Sequence, residues 1–322
     1  MNLLDLFSGI GGFHLGLQRA GFKIKSYNSE IDKYANQVYK YNFKNATNVG
    51  SVTNIRGADL PRINAITFGS PCQDFSLAGK RKGMAGERSS LILEAIRLVK
   101  ECRPDFFIWE NVKGTFSSNS GEDFAAILQA FTNIGGYRLE WQLLNTKWFL
   151  PQNRERIYLV GHTSKKSKEQ VFPIRESSRK IVELQKQQGN TCTLTARYAA
   201  AGNGSYINER KFNAQKVIGA MRGRNPNNSS DRTKGSPTVQ RLEINKNNIS
   251  NTLTSVEKDN LVVSDNIRRL TPIECERLQG FPDDWTRYGT EGEISDTQRY
   301  KMCGNAATVD VVQAVGKQIL KL

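Results

Sequence analysis

Over the first 164 residues, short unbroken apolar runs alternate with stretches whose apolar residues recur three and four apart. LLDLF (3–7), NAITFG (64–69), DFFIWEN (105–111) and RIYLVGH (156–162) are apolar runs closed by glycine or polar residues, the pattern of buried strands. FHLGLQRAGF (13–22), SLILEAIRLVKEC (90–102) and EDFAAILQAFTNIG (122–135) carry the apolar stripe of amphipathic helices. This alternation predicts an α/β fold, a mostly parallel sheet with helices on both faces. From about 165 to 265 the texture changes to Asn, Gly, Ser, Lys and Arg, with only short apolar pieces such as KVIGAM and NLVV, as in a small, irregular strand-and-loop domain. Regular texture returns after 266. IRRLTPIECERLQGF contains the Thr271-x-x-Glu274 spacing of a helix-opening capping box, and TVDVVQAVGKQILKL is a further amphipathic helix. The expected organisation is one domain of 1–164 plus 266–322, interrupted by a smaller insert of 165–265.

Composition sharpens this picture. The 322 residues, 38% hydrophobic and 24% charged, suit a globular chain of one large domain and a companion. No apolar run is long enough to span a membrane, and MNLLDLFSGIGG lacks the basic region and cleavage pattern of a signal peptide, so a cytoplasmic protein is expected. Five cysteines are scattered without a C-x-x-C, and there are only two histidines, which argues against a disulfide framework and against a zinc site. The net charge of +15 points to a polyanionic partner, most simply nucleic acid, although a generally basic soluble surface would give the same sum. The excess is concentrated: residues 165–265 hold 18 basic and 9 acidic side chains.

Four places could carry chemistry. Asp5-Leu6-Phe7-Ser8-Gly9-Ile10-Gly11-Gly12 follows a strand and opens a helix, with Glu30 about 20 residues on. Glycines let a backbone approach a ligand and a carboxylate takes ribose hydroxyls, so an adenosine-type cofactor fits. Because His14 stands where a strict G-x-G-x-x-G ends, nicotinamide cofactors, S-adenosylmethionine and a plain tight turn all remain open. Cys72, in Gly69-Ser70-Pro71-Cys72-Gln73, follows a buried strand at the edge where open α/β sheets place ligands; it is a nucleophile there or an inert buried thiol. The basic, glycine-punctuated stretch GKRKGMAGERS that follows can close over a phosphate backbone, which makes Gln73, Ser76, Lys80, Arg81 and Arg88 candidate DNA contacts. Glu110-Asn111 ends a strand at the same edge, as a candidate general acid or an ordinary loop carboxylate. Gln152, Arg154 and Arg156 share one face of an extended segment by period two, suiting phosphate or carboxylate recognition or else a solvated strand edge.

Taken together, DLFSGIGGF, GSPCQDFS, ENVKG, QNRERIYLVG, RLTPIECERLQGFPDDW and MCGNAATVDVV occur in the order and approximate spacing of the DNA cytosine-C5 methyltransferases, and the chain resembles the short bacterial and phage restriction-modification type. The resemblance covers about 1–164 and 266–322, and the basic insert sits where that family carries its target-recognition domain. It implies a Rossmann-like sheet and an enzyme that flips a cytosine out of duplex DNA, since the ring carbons cannot be reached while stacked. Cys72 would attack C6, Glu110 would contact N3 and the exocyclic amine, Arg154 and Arg156 would hold the base, and Asn111 would support the pocket. C5 would then take a methyl group from S-adenosylmethionine, leaving S-adenosylhomocysteine and, after loss of the C5 proton and of Cys72, 5-methylcytosine. Transient covalent attachment splits one hard step into easier ones, with no metal.

The same resemblance assigns Phe7, Gly9, Gly11, Glu30, Ile31, Ser51, Val52, Pro71, Leu91 and Asn305 to the cofactor. Two of these depart from the family pattern: Ile31 stands where tryptophan is frequent, and Ser51 where Asp is expected, so weakened rather than lost cofactor affinity is expected. Ala306-Ala307 replace the common Ser-Val. In the insert, Thr252-Leu253 match a Thr-Leu pair of recognition domains, and Val217 to Asn225, with Arg222 and Arg224, is a candidate base-reading loop. A monomer is expected, with a cognate restriction endonuclease acting separately. Three competing readings are a nicotinamide-dependent oxidoreductase, which leaves the charge and the Pro-Cys-Gln and Glu-Asn-Val pieces unexplained, a catalytically silent DNA-binding homologue, and a transfer-RNA methyltransferase on the same scaffold. The long basic insert favours duplex DNA over transfer RNA.

Overall fold

The computed structural model describes residues 1–70, 90–163, 169–175, 217–228, 231, 236–245, 249–253, 260–263 and 267–322. Pro71, Cys72, Gln73, Ser76, Lys80, Arg81 and Arg88 lie outside these residues. The chain opens with β1 (Asn2–Leu6), α1 (Gly12–Ala20), β2 (Lys25–Ser29), α2 (Lys33–Asn42) and β3 (Thr47–Asn48). It continues with β4 (Ala65–Gly69), α3 (Ser90–Cys102), β5 (Phe106–Val112), α4 (Glu122–Ile134), β6 (Arg138–Asn145), β7 (Gln152–Asn153) and β8 (Glu155–His162).

Seven of these strands form one sheet in the order β3-β2-β1-β4-β5-β8-β6. All run in one direction except β8, which is antiparallel to both β5 and β6. The strict two-residue alternation of each strand sorts its side chains onto two cores. Leu4, Leu6, Ile66, Phe68, Phe107, Trp109, Ile157 and Leu159 face α3 and α4, where Leu98, Val99, Ile127 and Phe131 cover them. Leu3, Ala65, Phe106, Ile108, Tyr158 and Val160 face α1 and the carboxyl-terminal helix, where Leu17, Val311, Val312 and Val315 cover them. That both faces are apolar is why these strands read as unbroken hydrophobic runs. Strand β6 is absent from the sequence expectation: as the sheet's edge it keeps Arg138 and Trp141 exposed, so its pattern is diluted.

The remaining elements are β9 (Val217–Arg224), β10 (Val239–Ile244), β11 (Ser250–Asn251), β12 (Leu261–Val263), β13 (Ile267–Arg269), α5 (Pro272–Leu278), β14 (Tyr288–Gly289), β15 (Gly292–Glu293), α6 (Asp296–Asn305) and α7 (Val309–Ile319). The capping box at the start of α5 is formed as spaced, Thr271 and Glu274 each bonding the other's backbone N–H. Helix α7 packs on α1, joining the two chain ends, and glycine permits the contact: a Cβ at Gly12 would stand 2.3 Å from the Ala307 carbonyl oxygen, and one at Gly16 would stand 2.6 Å from Val312 Cβ.

A small antiparallel sheet, β10-β9-β12-β13, rests on the large body through Ile218 and Val262, which meet Leu253, Leu270, Cys275 and Cys303. Two features fall across the boundaries expected at 164 and 265. Val171, Phe172 and Ile174 pack into the second core, where Glu140 accepts the Val171 and Phe172 N–H groups. Strand β13, at 267–269, completes the small sheet rather than opening the returning helix. Sequence texture missed both because each is only a few residues long; Val171 and Phe172 are held by Glu140, remote in sequence, and β13 by the equally short β12 beside it.

Candidate active site

The carboxyl ends of β1, β2, β4 and β5 surround a cleft of about 480 Å³, a size suited to a nucleoside-bearing ligand. After β1 the chain turns through Phe7 (φ +51°), Gly9 (φ +52°) and Gly11 (φ +88°), a left-handed path that the two glycines adopt without strain and Phe7 adopts at a cost. The turn is tied to β2 by Ser8 N–H to the Ser29 carbonyl at 3.1 Å and by Gly9 N–H to Glu30 Oε2 at 2.9 Å. Glu30 Oε1 also accepts the N–H groups of Ile31 and Asp32, so this carboxylate is fixed at the wall by three backbone donors. Nothing lies within 4 Å of where a Gly9 Cβ would stand, leaving room for a ligand to approach the backbone.

Phe7, Gly9, Glu30, Ile31, Ser51, Val52, Leu91 and Asn305 all line the cleft. Gly11 does not. It caps α1, and a Cβ there would sit 2.3 Å from the Phe43 ring, so this glycine serves packing beneath the turn. Ile31 is 82% exposed, an open apolar side chain available to a flat ring. Ser51 offers one hydroxyl, already bonded to Thr53 Oγ1 at 2.9 Å. A glycine cradle, an anchored carboxylate and apolar walls at Ile31, Val52 and Leu91 fit an adenosyl cofactor.

Glu110, Asn111, Arg154 and Arg156 line the same cleft. Glu110 is buried at the end of β5, its Oε1 3.2 Å from Arg156 Nε. Gly69 makes room for it, since a Cβ there would stand 3.2 Å from Glu110 Oε2. Asn111 donates to the Ser70 carbonyl at 3.1 Å and to Ser70 Oγ at 3.0 Å, while its own oxygen accepts the Val112 N–H. It thereby fixes the last described residue before Pro71-Cys72. Arg154 is buried and spends its guanidinium on backbone, donating to the carbonyls of Leu253, Gly304 and Ala306 at 3.0–3.2 Å. The shared face expected for Gln152, Arg154 and Arg156 thus carries two jobs. Arg156 faces the Glu110 carboxylate, whereas Arg154 and Gln152 bind the main chain, Gln152 reaching Leu278 O and Leu253 N.

Of the candidate DNA contacts among the described residues, Thr252 donates its hydroxyl to the Asn153 carbonyl at 2.8 Å, beside the β11–β7 pairing. Arg224 is paired with Glu243, its Nη2 2.7 Å from Oε2. Arg222 stands opposite Arg241 across the β9–β10 ladder. These residues are brought together on the small sheet and in the segment that joins it to β7.

Sequence reasoning missed three residues of this region. Asp5 is fully buried beneath the glycine turn and accepts from Thr67 Oγ1 at 2.8 Å and Tyr39 Oη at 3.3 Å; burial pushes its carboxyl up to about 8 against those two bonds. Asp32 caps α2 by accepting the Tyr34 and Ala35 N–H groups, and its position before a helix was readable as a cap. Lys301 meets Asp32 from 269 residues away, a juxtaposition no local pattern encodes.

Cofactor cleft and charged pocket share one wall, the arrangement of a Rossmann-like transferase that holds a nucleoside-bearing donor beside its acceptor. The family model of the C-5 cytosine-specific DNA methylases matches residues 1–321. The type II methyltransferase M.NgoBI of Neisseria gonorrhoeae is 34% identical, covering 98% of this chain and 91% of that protein. M.Bsp6I of Bacillus sp. (strain RFL6) is 30% identical over 100% of this chain and 99% of its own length. In fold, the chain is similar to a prophage-encoded methyltransferase of E. coli (TM-score 0.64, 20% identity, 100% and 99% coverage) and to the S. pombe Dnmt2 methyltransferase (TM-score 0.60, 18% identity, 100% and 98% coverage). The chain belongs to the C-5 cytosine-specific DNA methylase family and is a DNA cytosine-5-methyltransferase.

Proposed function

We propose that this chain methylates one cytosine within a short duplex sequence, with Cys72 as nucleophile and S-adenosylmethionine as donor, as the protective partner of a separately acting restriction endonuclease. The observation that carries the reading is the meeting, in a single cleft, of the Gly9–Glu30 cradle with the Glu110–Arg156 pair. Bound there, S-adenosylmethionine would supply an electrophilic methyl group, with Glu30 toward the ribose and Ile31, Val52 and Leu91 toward the adenine.

The chain's own groups divide the remaining work. Glu110, beside Arg156 at a sheltered strand end, would contact cytosine N3; in its protonated form it would give that proton to N3, making C6 electrophilic and leaving a carboxylate that Arg156 balances. Asn111 pins Ser70, so the backbone entering Pro71-Cys72 is fixed relative to Glu110. Arg156 balances charge near the base. Arg154, bonded to three carbonyls, shapes the pocket wall and acts on the base through that wall. The small sheet and residues 250–253 are read as the recognition side, and one chain carrying both modules suits action as a monomer.

Bisulfite sequencing of unmethylated plasmid after incubation with protein and S-adenosylmethionine tests the proposal. Protected cytosines in one short motif, absent with Cys72→Ala, are expected. Protection by Cys72→Ala, or turnover only on a transfer-RNA control, would overturn it.

A further inference from the structure

Asp32 and Lys301 both line the cleft, from opposite ends of the chain. The Lys301 ammonium donates to Asp32 Oδ2 at 2.6 Å. The two oxygens of Asp32 are divided: Oδ1 accepts the Tyr34 and Ala35 N–H groups at the start of α2, leaving Oδ2 for the lysine. Burial alone would raise the Asp32 carboxyl; the Lys301 hydrogen bond, the Ala35 and Tyr34 N–H groups and the ammonium charge hold it below its ordinary value. The backbone N–H of Asp32 in turn donates to Glu30 Oε1 at 2.9 Å. On the other side, Lys301 belongs to α6, whose end supplies the Gly304 carbonyl, and with Ala306 just beyond it, that Arg154 binds. The 301–306 wall is therefore held by Asp32 at one end and by Arg154 at the other.

We propose that the Asp32–Lys301 pair is an electrostatic strap across the cleft that positions Glu30 and the 301–306 wall, and so sets how tightly the adenosyl cofactor is retained. The inference rests on the cofactor reading above. Both residues are positioning residues. The pair is part-exposed, with 46% of the lysine and 26% of the aspartate side chain accessible, so it contributes little to folding and is weakened by salt. A strap of this kind has a signature that a packing contact lacks: its effect fades as ionic strength rises.

The test is calorimetric binding of S-adenosylhomocysteine, which carries no sulfonium charge that a change in cleft charge would attract or repel. Lys301→Met is expected to weaken binding about five- to twenty-fold at low salt, in line with coupling between contacting residues. The gap to the wild-type protein closes toward 0.5 M salt, on the order of a Debye length of only a few ångströms. Lys301→Arg keeps most of the affinity. Asp32→Asn, which preserves a helix cap, reproduces Lys301→Met, and the double variant is no weaker than either. In turnover, KM for the cofactor rises more than kcat falls. Unchanged low-salt affinity in Lys301→Met, or a loss equal at all salts, overturns the strap alone. A wild-type protein that does not bind S-adenosylhomocysteine overturns the cofactor assignment and the strap with it.

Discussion

Asp5 sits at the end of β1 with no exposed surface, receiving hydrogen bonds from Thr67 and Tyr39, while Glu30, just past the end of the neighbouring strand β2, is held at the cleft wall by backbone N–H groups. The first carboxyl is buried beneath the turn and the second lines the cleft, although both are acidic residues at strand ends. Burial moves Asp5 from 3.8 up to about 8. Between those values the folded chain keeps a proton that the unfolded chain has released, so this group's contribution to stability falls as pH rises through the window. Asp5→Asn cannot titrate. Its melting temperature should gain on that of the wild-type protein between pH 5 and pH 8, and parallel curves would show that Asp5 is ionised in the fold. His14, hydrogen-bonded to Tyr39 at 3.0 Å and stacked on Phe43, is pulled down to about 4 by burial and works in the opposite direction, costing stability as pH falls below 6.5.

Among the elements, α1 is the one whose sequence carries two messages at once. Its apolar spacing makes it a helix, and its glycines decide what can lie against it. A Cβ at Gly16 would stand 2.6 Å from Val312 Cβ and Cγ1 and 2.8 Å from the Val309 carbonyl oxygen, so it is the bare glycine that lets α1 and α7 approach closely and bring both chain ends under the cleft. Gly16→Ala gains about 1 kcal/mol of helix propensity but loses about 1–3 kcal/mol to overpacking, against backbone that cannot easily yield. A net loss of stability of up to about 2 kcal/mol is expected in urea unfolding. A stabilised variant would mean that the two helices can separate without cost. The central strands were legible because both faces are covered. Edge strand β6 was not, since Arg138, Glu140 and Gln142 interrupt the apolar run that marks its neighbours.

For the whole molecule, the net charge is +15, and residues 165–265 hold 18 of the basic and 9 of the acidic side chains. Binding to a duplex should be driven largely by release of counterions from phosphates. Fluorescence anisotropy with a duplex oligonucleotide is expected to show affinity falling about a thousand-fold between 50 and 200 mM salt, and a shallow dependence would remove the basic excess from the interface. At this scale the division between sequence and structure also becomes clear. The alternation of strands and helices, the glycine turn, Glu30, the Glu110-Asn111 strand end and the arginines at 154 and 156 are all local patterns, each encoded within a few residues, and the chain alone determined them. Tertiary structure decided what these residues do to one another: that Arg156 faces Glu110 while Arg154 clamps Leu253, Gly304 and Ala306. It also decided that Gly11 packs on Phe43 instead of lining the cleft, and that Lys301 closes on Asp32. Such pairings depend on residues from segments 32 to 269 positions apart meeting at one sheet edge, and periodicity holds no record of which distant residue will arrive.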